Sequence, residues 1–114
     1  MNAATIIELP WPDSTLVGHN NGHWRNKARI VATHRSWAFH ATREARLTVA
    51  EDGDICVHIS FTPPHNRGDR TNMPNLMKPY LDGIAEALGV NDKRFLPSYE
   101  FCPANKPGKV VVTL

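Results

Sequence analysis

Cysteine is scarce: Cys56 and Cys102 are the two in 114 residues. Their spacing makes no metal-ligand pair, and nothing about them suggests secretion. Both read as small buried apolar residues. Long apolar runs are missing as well; none approaches the roughly 18 residues that a membrane span requires. The start of the chain lacks a basic stretch followed by an apolar block, so no signal peptide is visible and a reducing cytoplasm is expected. Neither G-x-x-x-x-G-K-[ST] nor G-x-G-x-x-G occurs, which removes the common phosphate-cradling loops. The chain has six histidines, and none forms H-x-x-x-H or H-E-x-x-H on a helix. His19 and His23 are four apart, but Asn20, Asn21 and Gly22 between them read as loop, so zinc is not expected. Net charge is small, with 13 Lys and Arg against 11 Asp and Glu, and by itself it decides little.

What is present is unevenly placed. Between His23 and Arg46 stand Arg25, Lys27, Arg29, Arg35, Arg43 and Arg46 against one acid, Glu44. That is a local charge of +5, compared with +2 for the chain. The plain reading is a solvated helix face; the functional one is a row of cations for phosphate. An apolar content of 41% argues against disorder. The length fits one domain, residues 1–114.

In chain order, Thr5–Leu9 is a short β-branched run stopped by Pro10 and Pro12, a first strand. Residues 10–22 are rich in Pro, Gly, Asn and Asp and read as loop, with Trp11 a packing anchor. From His23 the period becomes helical. Trp24, Ala28, Val31, Ala38, Ala41 and Ala45 recur along one stripe, and Gly and Pro are absent between Gly22 and Gly53. That alanine-rich stripe suits close approach to a sheet, with Arg25, Arg29 and Arg43 turned away from it. Glu51–Asp54 is a turn. Ile55–Phe61 then alternates Ile55, Val57, Ile59 and Phe61 against Cys56, His58 and Ser60, a half-buried strand.

Pro63 and Pro64 end that strand, and the loop His65–Thr71 follows. A second helix is expected from about Met73 to Leu88, capped by Asn72 and ended by Gly89, with Pro79 a source of kinking. Leu76, Tyr80, Ile84, Ala87 and Leu88 share its core face, and Lys78 and Asp82 are surface neighbours. Phe95–Phe101 and Lys109–Leu114 read as two final strands. The order β-α-β-α-β-β predicts an α+β fold, an α/β sandwich with a small mixed sheet and two main helices.

Asp69 and Asp92 flank the second helix, which at about 16 residues would be roughly 24 Å long. If the fold draws them together, two carboxylates make a hard-oxygen site suited to Mg²⁺. Such an ion activates water and neutralises phosphoryl charge, and Lys78 is then placed to do the same. Solvated loop acids are the plain alternative.

Four motifs in register resemble the RusA family of Holliday-junction resolvases, over almost the whole chain. LPWPDSTLVGHNNGHWRNKAR is similar to the family's Leu-Pro-x-Pro-Pro-Ser loop leading into a basic helix. Arg67-Gly68-Asp69-Arg70-Thr71-Asn72 is similar to its Arg-x-Asp-x-Asp-Asn. Lys78 with Leu81-Asp82-Gly83 is similar to its Lys-x-x-x-Asp-(Gly/Ala) helix. Gly89-Val90-Asn91-Asp92-Lys93-Arg94 is similar to its Asp-Asp turn.

The resemblance implies a bacterial or phage-encoded homodimer that binds four-way DNA junctions. It implies resolution by paired, Mg²⁺-dependent phosphodiester hydrolysis during recombination and repair, with Mn²⁺ as a substitute ion. Carried over by motif, Asp69 and Asp92 are catalytic metal ligands and Lys78 serves the scissile phosphate. Thr71 and Asn91 are the further metal donors. Arg25, Lys27, Arg29, Arg67, Arg70 and Asn72 are the DNA contacts, with Arg70 alternatively an ion-pair partner of Asp69. Thr71 and Asn91 stand where the family has acids. A gapless alignment through Asn75-Leu76-x-Lys78 would instead put Asn72 and Pro74 at the Asp positions. These departures keep a second reading open, a junction-binding protein of the same fold with weakened or lost catalysis.

Overall fold

A computed structural model of the chain describes residues 5–16 and 24–114. Its elements are β1 (Ile6–Pro10), α1 (Trp24–Glu44), β2 (Ile55–Thr62), α2 (Lys78–Leu88), β3 (Phe95–Phe101) and β4 (Lys109–Thr113). Short 3-10 segments occupy Ser14–Leu16, Arg70–Met77 and Asp92–Arg94. This is a small mixed α+β fold, two helices and a four-stranded sheet, in the element order that the sequence predicts. The expectations for His19, His23 and loop residues 17–22 lie outside the described residues. Among the described residues no helix is long and apolar enough to cross a membrane.

The sheet runs β1-β4-β2-β3, so the last strand enters between the first and second. β4 is antiparallel to both its neighbours, and β3 is parallel to β2. Alternation puts Ile55, Val57, Ile59 and Phe61 on the buried face. They join Ile7, Leu9, Val110 and Val112 beneath Ala38, Met77, Tyr80 and Ile84. Trp11 packs edge-on against Phe61, ring centroids 6.1 Å apart, as the anchor expected of it. The cysteines depart from expectation: Cys56 is exposed and Cys102 only half-buried. Cys56 has the opposite parity to the core row. Period two separates the two faces of a strand but does not say which one helices cover.

The buried stripe of α1 also differs. Its fully buried residues are His34, Ala38 and Thr42, whereas Trp24 is 74% exposed and Ala28 and Ala45 are exposed. The two polar residues are tolerated because their hydrogen bonds are met locally. The Thr42 hydroxyl donates to the Ala38 carbonyl at 2.7 Å. His34 Nδ1 donates to the Ile30 carbonyl (2.8 Å) and Nε2 accepts from the Asp13 amide (3.1 Å). Its ring stacks on Tyr80 with centroids 5.2 Å apart. Ala38 does serve close approach, though to α2: a Cβ placed on Gly83 would lie 2.2 Å from the Arg35 carbonyl oxygen and 3.1 Å from Ala38 Cβ.

The helix expected over residues 73–88 divides in two. Arg70–Met77 is 3-10, capped by Asp69 in place of Asn72, and the α-helix begins only at Lys78. Proline explains the break. Inside an α-helix Pro79 would forfeit a hydrogen bond and its ring would meet the carbonyl four residues back; in a first turn it costs nothing. Gly89 ends α2 in the left-handed region, φ 69°, its amide donating to the last-turn carbonyls of Ala85 and Glu86. On the expected core face Leu76, Tyr80 and Ile84 are buried, while Ala87 and Leu88 are half-buried.

Candidate functional site

Lys78 opens α2 and lies along it. Its Nζ is 2.9 Å from Asp82 Oδ1 one turn on, and 2.6 Å from Asp92 Oδ2, fourteen residues away. Asp92 reaches it because the chain reverses at Gly89 and is then pinned. Asn91 caps the 3-10 turn by accepting from the Lys93 amide at 2.9 Å, and the Phe95 amide donates to the Asp92 carbonyl. Arg94 ties the turn to the loop before β2 through the carbonyls of Gly53 (2.8 Å) and Ala50 (2.6 Å). Arg94 is therefore structural. The Asp92 and Asp82 carboxylates hold the Lys78 ammonium above its ordinary value, and Lys78 in turn holds Asp92 below the usual carboxylate range. All three side chains keep solvent access, Lys78 most of all at 65%.

Asp69 sits apart. It caps the 3-10 segment, and its Oδ1 takes both the Thr71 amide (3.0 Å) and the Thr71 hydroxyl (2.8 Å). Those bonds, the hydroxyl first, lower its pKa. Among the described residues no hydrogen bond reaches Oδ2, and none joins Asp69 to Lys78, Asp82, Asp92 or Arg70. With His65, Asn66 and Arg70 it lines a surface pocket closed by Met73, Cys102 and Ala104. Asn72 lines an adjoining one with Trp11 and Leu76. The Arg67 and Arg70 side chains are exposed in this loop.

The predicted DNA contacts of α1 gather at its start. Arg25 lies over the Trp24 ring, 5.4 Å from its centroid, and Arg29 donates to Asn26 Oδ1 at 2.9 Å. These four residues line one pocket, while Lys27 is half-buried. Arg35 is committed to Glu86 at 3.0 Å. Trp24 and Asn26 are additions to the predicted set. A tryptophan beside two arginines is the available signal, but its phase places it on the core stripe. Asp82 is the other addition, and its four-residue spacing from Lys78 is the sign.

The donors here are hard oxygens, which suit a divalent cation such as Mg²⁺ in kind. Asp82 and Asp92 already converge on one positive centre, the Lys78 ammonium. The Thr71 hydroxyl is given to Asp69 and the Asn91 oxygen accepts from Lys93. Among the described residues no group of three or more His, Cys, Asp or Glu is arranged to hold a metal.

No family model matches the chain. An uncharacterized protein of Xylella fastidiosa (strain Temecula1) is 36% identical to it, over 95% of this chain and 74% of that protein. At that identity and coverage, the chain belongs to the same family as the Xylella protein.

Proposed function

We propose that the protein is a metal-dependent endodeoxyribonuclease of the RusA kind, a cytoplasmic homodimer that resolves four-way DNA junctions. The observation that carries this reading is the meeting of Lys78 with Asp92. Two residues that the motifs single out, fourteen apart, share a contact of 2.6 Å. Asp92 and Asp82 would offer carboxylates to Mg²⁺ or Mn²⁺, and Asp69, Thr71 and Asn91 would serve as further oxygen donors only by giving up the bonds they make with one another and with Lys93. The ion would supply an activated water and neutralise phosphoryl charge. Lys78 is an exposed ammonium beside the acids, suited to the oxygens of the scissile phosphate. Arg25, Arg29, Arg67 and Arg70 offer cations to the flanking phosphates, with Lys27 and Asn72 beside them.

A second reading, junction binding without cutting, draws on the bonds that already engage Asp69, Thr71 and Asn91. A labelled four-way junction incubated with and without Mg²⁺ or Mn²⁺ separates the two. The nuclease reading expects paired, metal-dependent nicks, lost in Asp92→Asn and Asp69→Asn and cut at least about tenfold in Lys78→Met. Salt-sensitive binding with no nicks at any metal concentration establishes the second reading instead.

A further inference from the structure

Strand β3 is finished unlike its neighbours. Its row Phe95, Pro97, Tyr99 and Phe101 stands opposite Ile55, Val57, Ile59 and Phe61 of β2. Those partners are buried, so the row belongs to the helix side of the sheet. Yet Tyr99 is 41% and Phe101 37% exposed. Phe101 stacks on Phe61 with centroids 5.5 Å apart and planes 12° from parallel, and Tyr99 leans on the same ring at 6.1 Å. The two rings are held from behind and open in front.

The ledge also joins the two halves of the candidate site. Its strand begins on the Asp92 carbonyl. Cys102, the residue after Phe101, lines the pocket of Asp69 and Arg70. A second copy pairing along the strand edge would cover the rings, but the backbone disfavours it. The Cys102 amide donates inward to the Phe61 carbonyl, so the backbone amides of even-numbered residues point to β2 and those of odd-numbered residues point away from it, in the plane of the sheet. Pro97 therefore occupies an outward position with no N–H to give, and an added strand would meet a gap in mid-ladder. Cations stand towards one end of the strand instead: Arg70 lines the same pocket as Cys102, the residue after Phe101, and Arg67 is exposed in the same loop. Aromatic faces beside arginines form the combination that takes single-stranded nucleic acid, bases on the rings and phosphates on the cations.

We infer that Tyr99 and Phe101 form a stacking ledge for unpaired bases of a DNA strand whose phosphates meet Arg67 and Arg70. This rests on the nucleic-acid reading above and adds the state of the substrate, a strand opened at the branch rather than intact duplex. The rings hold the bases while the backbone runs past the acids at either end of β3.

The test compares binding of oligothymidylate and of a blunt duplex at low salt, by fluorescence anisotropy. Tyr99→Leu and Phe101→Leu keep the apolar packing on Phe61 and remove the π face. Each should weaken oligothymidylate binding about tenfold and leave duplex binding within about twofold. Wild-type affinity in both leucine variants, or equal loss on both probes, overturns the ledge. So does a change from dimer to monomer on sedimentation, which would give the row to a second copy. The nuclease reading fails separately. A protein that needs the rings to bind but never nicks junctions keeps the ledge and loses the hydrolase; one that nicks normally as Tyr99→Leu does the reverse.

Discussion

At the residue scale, the Lys78 cluster has a pH signature whose sign follows from its shifts. Asp92 is lowered from its ordinary 3.8 by Lys78. Its contribution to stability is present above 3.8 and is lost as pH falls through the lowered folded value. Lys78 is raised from 10.5 by Asp92 and then Asp82, so its share is full below 10.5 and lost as pH rises through the raised value. The cluster is therefore intact across the neutral range. Asp92→Asn should flatten part of the acid limb of a melting-temperature profile, by no more than about 3 °C because the pair is open to solvent. An acid limb identical to wild type would mean that the ion pair does not form in solution. The i,i+4 relation of Lys78 and Asp82 is legible in the sequence, since helical geometry alone makes them neighbours. The arrival of Asp92 is not. The helix stop at Gly89 is legible, but the arrival also depends on an anchor from Arg94 to the distant carbonyls of Ala50 and Gly53, which leaves no local pattern.

At the scale of elements, strands are easier to read than helix faces. The alternation in β2 separates its two rows, and the β-branched run at 109–114 marks β4 as a strand. The stripe of α1 comes out misphased because alanine and tryptophan look apolar wherever they stand, while His34 and Thr42 are buried only through bonds that periodicity cannot reveal. The start of α2 is misplaced because Pro79 passes for an interior kink when it marks a first turn. The packing of α1 on α2 is the most exacting junction. Gly83→Ala would put a methyl 2.2 Å from the Arg35 carbonyl, which the helices can relieve only by moving apart. A loss of about 1–3 kcal/mol or more is expected in urea unfolding. Ala38→Gly, by removing the nearer side chain, should not rescue it, because the clash is with backbone. Wild-type stability in Gly83→Ala would contradict the packing described.

At the scale of the molecule, basic groups at the start of α1 and in the loop after β2 give the nucleic-acid reading a measurable footprint. Arg25→Ala and Arg29→Ala should each lower junction affinity at low salt. Each should also reduce the slope of log affinity against log salt by about 1 for the phosphate it no longer neutralises. An unchanged slope in the double variant would remove α1 from the interface.

The strand order carries a further consequence. β1 has a single neighbour in the sheet, β4, and Thr5 and Leu114 exchange amide bonds at 3.1 and 3.0 Å beyond the paired register. While the protein is being made, β1 has no mate in the sheet until β4 has emerged from the ribosome. Closure of the β1 side of the sheet thus waits on synthesis of β4, and a polypeptide released just before that point would leave β1 with an unsealed edge.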